Sequence, residues 1–362
     1  MSFPKKVVTF YIPFLLLCSA VFSASATAQS TNKENRFPAV EISNTFLPPG
    51  ESNVRSSFKL ANGMALIGTE ETGDVFKTTD AGKTWTKTVD GGDEWGIQDI
   101  RNFIRAENGK LYATTSEPAL VLCSDDEGKS WDVVAKPKAS RTVAIKQLDS
   151  GEILVGLRRS ENDKISIVRS KDYFKTFDTI VLDEKLPRQN TTCLMDLGKG
   201  VVLCGVGYEA SGKVFRSTDA GLTWTQTAEF KDARDVMNFY AIGEKVFVLS
   251  SGIATIFASD DRGKTWNKHA QIWEKGFLGQ HATIKHNGKT YHLLAATDQR
   301  KDARRHTVLI SDDQGKSWEE WIELATDKSG GASNLAVIDD HTIVVGTGNH
   351  SVQGKAYTLK VK

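Results

Sequence analysis

Five stretches of this chain share one pattern: a hydroxyl residue, any residue, aspartate, any residue, glycine, any residue, a second hydroxyl residue and tryptophan. They begin at Thr78, Ser124, Ser217, Ser259 and Ser311 and end at Trp85, Trp131, Trp224, Trp266 and Trp318. A worn sixth copy runs from Ser170 to Phe177, with Asp172 at its centre and Phe177 in place of tryptophan. Successive copies start roughly 42–52 residues apart, which is the length of one four-stranded unit in a radially repeated β-fold.

The residue types explain the pattern. An aspartate carboxylate can accept backbone N–H bonds within its own turn, and glycine supplies the positive φ that a β-branched residue resists. The tryptophan leaves the turn as the first large apolar group of the next strand, ready to pack between neighbouring sheets. These aspartates therefore read as a folding device, since an acid occupied by local donors is a poor catalyst.

The boxes resemble the Asp-box, or BNR, repeat of the sialidase superfamily, and the resemblance spans about residues 55–362. It implies an all-β fold, a β-propeller of four-stranded antiparallel blades. It is far less specific for function, because sialidases, xyloglucanases, sorting receptors, polysaccharide lyases and assembly factors share such boxes.

Lys5 and Lys6 precede an apolar run from Val7 to Phe22, and small residues follow to Ala28. This pattern is that of a secretory leader over residues 1–28, cut before Gln29, and it implies a periplasmic or secreted product. A polar, flexible segment over 29–36 then leads into a single domain over 37–362. Loss of the two leader lysines leaves 44 basic against 45 acidic residues. That balance argues against a nucleic-acid groove or a polybasic membrane surface, and a monomer is expected.

Turn signals at Asn62-Gly63, Asn108-Gly109, Ser150-Gly151, Gly198-Lys199, Gly243-Glu244 and Asn287-Gly288 separate the first and second strands of six blades. A seventh set, Leu335–Ile338, Thr342–Gly346 and Ala356–Val361, lacks a box and an outer strand. The alternating stretch from Phe37 to Phe46 can supply that strand and close the ring. Seven blades are thus expected, with six as the alternative. Cys193 and Cys204 fall opposite each other if the hairpin turns at Gly198-Lys199, so a disulfide is possible; two buried thiols are the other reading.

The face opposite the boxes carries longer loops, and there Arg55, Arg101 and Arg141 stand at or near inner-strand starts while Arg158, Arg159 and Arg300 stand at second-strand ends. Their guanidinium groups can converge on one carboxylate or sulfate, which makes Arg55, Arg101, Arg141, Arg158 and Arg300 the candidate ligand-binding set. The alternative is that they pair with Glu70, Asp99, Glu161, Asp298 and similar neighbours. The sialidase resemblance implies an arginine triad, an aspartate acid and a tyrosine activated by glutamate. Arg55-Ser56-Ser57 matches the first triad motif without its proline, and Arg36-Phe37-Pro38 is nearer in letters but sits on the closing strand. Arg141 and Arg304-Arg305 are similar to later triad positions. Tyr208 and Glu209 match the nucleophile and its base, and Asp93 or Glu94 the acid.

The leading reading is therefore a sialidase-like glycoside hydrolase; a second enzymatic reading is elimination on a uronate polymer, with His281, His350 and Tyr208 beside the arginines. A third is a propeller that binds a glycan or protein without catalysis. The ligand expected under the leading reading is an acidic oligo- or polysaccharide. No cofactor or metal is called for: His286 stands next to the box-face turn and His281 on the opposite face, so His281, His286 and His292 cannot share one ion, and no phosphate-cradling glycine loop precedes a helix.

Overall fold

The computed structural model describes residues 36–46, 53–160, 164–187, 189–208, 211–327, 331–332, 334–349 and 352–362. The leader, most of the 29–36 segment, Glu161, Glu209 and His350 lie outside the described residues.

Among the described residues the chain is built of antiparallel β-strands with one short helix. After β1 (Val40–Phe46) come β2 (Asn53–Ala61), β3 (Met64–Glu70), β4 (Val75–Thr78) and β5 (Thr86–Val89), each paired with the next from β2 onward. The helix α1 (Gly91–Trp95) leads into β6 (Asp99–Arg105), β7 (Leu111–Ser116), β8 (Val121–Ser124) and β9 (Asp132–Ala135). The same ladder recurs in β10 (Ala139–Gln147), β11 (Ile153–Ser160), β12 (Lys164–Ser170) and β13 (Asp178–Pro187). It recurs again in β14 (Asn190–Asp196), β15 (Val202–Gly207), β16 (Gly212–Ser217) and β17 (Thr225–Phe230).

The next two repeats share strands. β18 (Ala233–Ile242) pairs with the first half of β19 (Lys245–Ser259), whose second half pairs with the start of β20 (Asn267–His286). The remainder of β20 begins the next ladder with β21 (Lys289–Asp298), β22 (Arg304–Ser311) and β23 (Glu319–Asp327). Glycines mark the bends, Gly252 at φ 90° in β19 and Gly276 at φ 157° in β20. Last come β24 (Asn334–Val337), β25 (Thr342–Asn349) and β26 (Val352–Val361), and β26 pairs antiparallel with β1 from Val40 opposite Val361 to Phe46 opposite Lys355.

The box loops share one geometry. At Asp219, Oδ1 accepts from the Ser217 hydroxyl at 2.7 Å and the Thr223 amide at 2.9 Å, and Oδ2 accepts from the Thr223 hydroxyl at 2.6 Å. The Ser217 Oγ in turn accepts from the Gly221 amide at 2.9 Å. Burial works to raise these carboxyls, but the hydrogen bonds outweigh it and hold Asp126, Asp261 and Asp313 at about 2. The worn copy keeps the same backbone, since Phe174 adopts φ 67° where the others have glycine. Two boxes bond to the first hairpin turn of their own ladder: the Ala81 amide donates to Gly63 O at 2.9 Å and the Ala220 amide to Gly200 O at 3.0 Å.

Apolar clusters fill the spaces between ladders. One joins Leu66, Val75 and Ile100 to Leu122 and Trp131; another joins Leu154 and Ile167 to Val202 and Phe215. Every second residue of a strand thus faces a neighbouring sheet.

The hairpin arithmetic for the cysteines fails by one residue. A register shift between Thr191 and Cys193 sets Cys193 opposite Gly205 and Cys204 opposite Leu194. A turn through Gly198, Lys199 and Gly200, all at positive φ, replaces the expected two-residue turn. Cys123, Cys193 and Cys204 are all free buried thiols, and a one-residue slip is enough to turn paired side chains to different neighbours.

Candidate functional site

The ends of the second strands build one wall of the site. Just past β3 and β7, near the end of β11 and just past β15, the chain passes through positive φ at Glu71, Glu117, Arg159 and Tyr208. None of these is glycine, so each carries backbone strain. Their amides reach the next ladder: Glu71 N donates to Asp99 Oδ1 at 3.4 Å, Glu117 N to Ser140 O at 2.9 Å, Arg159 N to Asn190 Oδ1 at 3.3 Å and Tyr208 N to Asp235 Oδ1 at 2.7 Å. The turned backbone ties neighbouring ladders, and at Tyr208 it sets a side chain on the cavity wall.

Asp99 and Asp235 occupy matching positions at the starts of β6 and β18. Asp99 accepts from the Ser116 hydroxyl and lies 2.6 Å from Arg101 Nη2. Asp235 accepts from the Ser251 hydroxyl at 2.5 Å and from Arg234 Nε at 2.9 Å. Burial pushes the Asp99 carboxyl up, and the charges of Arg101, Arg55 and Arg141 with the Ser116 hydroxyl more than reverse this.

These elements surround a cavity of about 830 Å³. Among the described residues, six cations line it, Arg55, Arg101, Arg158, Arg234, Lys275 and Arg304, against the two carboxylates Glu70 and Asp235. That concentration stands out in a chain with 46 basic and 45 acidic residues. Asparagine, glutamine, serine and threonine supply much of the remaining wall, and Tyr208 and Phe277 add aromatic surface.

The guanidinium of Arg101 is 6% exposed, and its Nε has no partner among the described residues. Burial, then the like charges of Arg55 and Arg141, pull its pKa down to about 9 against the opposing pull of Asp99. The guanidinium of Arg158 lies 4.3 Å from the centroid of the Tyr208 ring, its Nε is likewise unpartnered, and burial and Arg141 lower its pKa. Such crowded like charges are relieved by an anion.

Of the residues singled out in the sequence, Arg55, Arg101, Arg158 and Tyr208 line this one cavity, and so does Arg304. Arg141 lines an adjoining pocket of about 340 Å³ with Glu70, Glu71, Gln98 and Asp99, where it donates to Glu117 Oε1 at 2.9 and 3.1 Å. Arg300 is held by both oxygens of Asp298, at 2.9 and 2.7 Å, and Arg305 by Glu320 at 2.7 Å. Asp93 and Glu94 are exposed on α1, whose N-cap Asp90 accepts from the Asp93 amide at 3.3 Å. Neither is among the cavity-lining residues.

His281 is also not among them. Its ring stacks on Tyr240 with centroids 4.2 Å apart, and its Nε2 lies 3.1 Å from His292 Nδ1. Burial, then His292, lowers its pKa to about 3. His286 is apart from this pair, against Asn287 at the hairpin turn. Among the described residues no group of three or more His, Cys, Asp or Glu could hold a metal ion, and no helix is long and apolar enough to cross a membrane.

Sequence reasoning missed Arg234, Asp235 and Lys275. Arg234 and Asp235 were legible in principle, because they open β18 as Asp99 and Arg101 open β6. Lys275 was hidden by the uninterrupted β20, which leaves no loop to mark the strand start.

The profile of the Sortilin-Vps10 family, described as sortilin, neurotensin receptor 3, matches residues 212–356. No curated protein matches the sequence. Among solved structures, YCF48 bound to D1 peptide is similar over 88% of this chain and 94% of its own, at 16% identity and a TM-score of 0.62. The GH74 xyloglucanase from Xanthomonas campestris is similar over 83% of this chain and 51% of its own, at 15% identity and a TM-score of 0.61. A catalytically inactive virginiamycin B lyase from Staphylococcus aureus with quinupristin is similar over 90% of this chain and 100% of its own, at 12% identity and a TM-score of 0.62. The chain thus spans about half the length of the xyloglucanase. These likenesses establish a β-propeller fold, and at such identities they establish the fold alone.

Proposed function

We propose that this chain is an exported, monomeric Asp-box propeller of seven blades, closed between β1 and β26, whose central cavity binds an acidic oligosaccharide. The observation that carries the binding reading is the convergence of Arg55, Arg101 and Arg158 on one cavity, two of them with an unpartnered Nε. A carboxylate or sulfate is the ligand group that satisfies planar forks and relieves their mutual repulsion. The amide-rich remainder of the wall suits sugar hydroxyls, and Tyr208 and Phe277 suit the apolar face of a sugar ring.

The seven-blade reading is supported by seven four-strand ladders among the described residues, two of which share a long strand. Closure is supported by the boxes. Gly128 of the second ladder packs on Leu66 of the first, Gly221 on Leu154 and Gly263 on Leu203, each against the ladder before it. Gly82 of the first ladder packs in the same way on Thr358 and Val344 of the last.

Recognition rather than hydrolysis is the reading preferred here. Hydrolysis needs a free acid and a nucleophile or base beside the bound anion. Glu70 accepts from Asn53 Nδ2 at 2.6 Å and Asp235 is occupied by Ser251, Arg234 and the Tyr208 amide, so both cavity carboxylates have structural work. A peptide offering a terminal carboxylate would meet the same arginines, and YCF48 has been solved with a D1 peptide.

Calorimetric titration of the mature protein with uronate, sialylated, sulfated and neutral oligosaccharides, and with a carboxyl-terminal peptide, tests the proposal. Binding of an acidic sugar that is lost in Arg101→Gln and Arg158→Gln supports it. Binding of the peptide alone, or of neutral sugars equally well, overturns it. Mass spectrometry of the recovered sugars then detects a gain of water or an unsaturated fragment, either of which would replace recognition by catalysis.

A further inference from the structure

The carboxamides on the cavity wall are turned in two ways. Asn102, Asn190, Asn238 and Gln280 commit their side-chain oxygens to backbone amides. Phe103 N donates to Asn102 Oδ1 at 2.8 Å and Arg159 N to Asn190 Oδ1 at 3.3 Å. Phe239 N donates to Asn238 Oδ1 at 2.9 Å and Leu335 N to Gln280 Oε1 at 3.2 Å. These bonds leave the amino ends for a ligand.

Asn53 and Asn334, also on the wall, are turned the other way. Asn53 donates from Nδ2 to Glu70 Oε2 at 2.6 Å, and Asn334 from Nδ2 to the Val54 carbonyl at 2.5 Å. The reverse assignment would set each oxygen against an acceptor, so the bonded ends are the nitrogens. The two Oδ1 atoms have no hydrogen-bond partner among the described residues, although Asn53 is 5% and Asn334 3% exposed. The two residues stand together: Asn334 bonds to the residue that follows Asn53, and both pair with β25, opposite Gly346 and Gly348 respectively. A Cβ at Gly346 would lie 2.6 Å from Asn334 Nδ2 and 2.5 Å from Val54 Cγ1, so packing fixes this corner.

We infer that Asn53 and Asn334 read an N–H group, and that the acidic oligosaccharide carries an acylamino substituent in this corner. This rests on the acidic-oligosaccharide reading above and specifies it. A hydroxyl turns freely between donor and acceptor and is met equally well elsewhere on the wall, whereas an amide N–H only donates. An acylamino group also brings a carbonyl, which accepts from the amino ends of neighbouring carboxamides. An ammonium offers donors alone and leaves those ends unmatched. A corner whose buried acceptors await a donor rejects an analogue that lacks one, because the acceptors then stay unpaired.

The test compares, by calorimetry at fixed ionic strength, a glucuronosyl-glucose disaccharide whose glucose carries an acetamido, an O-acetyl or an amino group on its second carbon. The first two differ only by N–H against O. The acetamido sugar should bind about tenfold or more tighter than the O-acetyl sugar. In Asn53→Ala and in Asn334→Ala the two should approach parity. Near-UV circular dichroism establishes that each variant keeps its fold, and the pair of sugars on the unaltered protein decides the matter if neither variant folds. Equal binding of the acetamido and O-acetyl sugars overturns the inference, as does tightest binding of the amino sugar or a preference that survives both substitutions. Each of these leaves the acidic-oligosaccharide reading in place. Failure of all three to bind while another acidic sugar binds also overturns the inference alone. Failure of these three and of every uronate, sialylated and sulfated sugar overturns the underlying reading with it.

Discussion

Arg216 donates from Nε to the backbone carbonyl of Arg262, 2.9 Å away in the box loop of the following ladder. The same bond recurs from Arg169 to Ala220 O at 2.9 Å and from Lys77 to Glu127 O at 2.8 Å. In each case the donor immediately precedes a box hydroxyl, and the acceptor stands three residues after the next one. A cation just before the box hydroxyl thus fastens three of the ladders to the box loop of the next.

Loss of this fastening should weaken the fold without touching the cavity. Arg216→Ala should cost about 1.5–3 kcal/mol, the range of a hydrogen bond to a charged group. Arg169→Ala should cost about 3 kcal/mol or more, because Arg169 also pairs with Glu152 at 2.7 Å in a buried setting. Urea denaturation measures both, and equal losses would refute the distinction.

Acid should act in two stages. The His281 pKa is lowered in the fold to about 3 from the ordinary 6.5, so its neutral form contributes stability that is complete above pH 6.5 and lost as pH falls toward 3. The carboxyls of Asp126, Asp261 and Asp313 stand at about 2 against an ordinary 3.8, so their contribution is present above pH 3.8 and lost as pH falls through 2. Melting temperature against pH should begin to fall near 6.5. In His281→Phe the fall between pH 6.5 and 4 should shrink to the part contributed by His292, whose pKa burial also lowers; an unchanged slope would show that His281 is not its source.

Gly205 has no room for a side chain. A Cβ there would lie 2.4 Å from Cys193 Sγ and 2.6 Å from Val236 Cγ1. Gly205→Ala should cost about 1–3 kcal/mol by overpacking, and Cys193→Ala should recover part of it. Burial pushes the Cys193 thiol up to about 12 and raises that of Cys204 well above the ordinary thiol range, so neither should react with an aromatic disulfide reagent until the protein unfolds. Reaction at native rates with either thiol would contradict the packing.

Tyr208 stands at φ 76°, strain that glycine would relieve. Tyr208→Gly should leave stability unchanged or raise it by up to about 1 kcal/mol, while weakening ligand binding through loss of the ring that Arg158 covers. Loss of stability with binding intact would make Tyr208 a structural residue.

The sequence carries the repeating loops openly, because Asp219 and its counterparts act through local bonds whose residue types are visible in eight letters. Arg55, Arg101 and Arg158 were also legible, since strand starts and strand ends could be counted from the boxes. Arg300 looked equivalent and is not, because Asp298 two residues earlier captures it with both oxygens. His281 was placed by strand position alone, and only packing against Tyr240 reveals that it serves the core. The cysteine register depended on one extra residue between Thr191 and Cys193, and nothing in the letters marks that shift. Lys275 became visible only when β20 was seen to run through two ladders.

The pairing of β1 with β26 also sets an order of events during synthesis. β1 leaves the ribosome among the earliest ordered segments, yet its only sheet neighbour among the described residues is β26, at the other end of the chain. Val40, Ile42 and their neighbours must therefore wait, unpaired, until Leu359 and Val361 have been made. The earlier ladders can assemble locally, whereas the contact between β1 and β26 can form only after the ladders between them have been made.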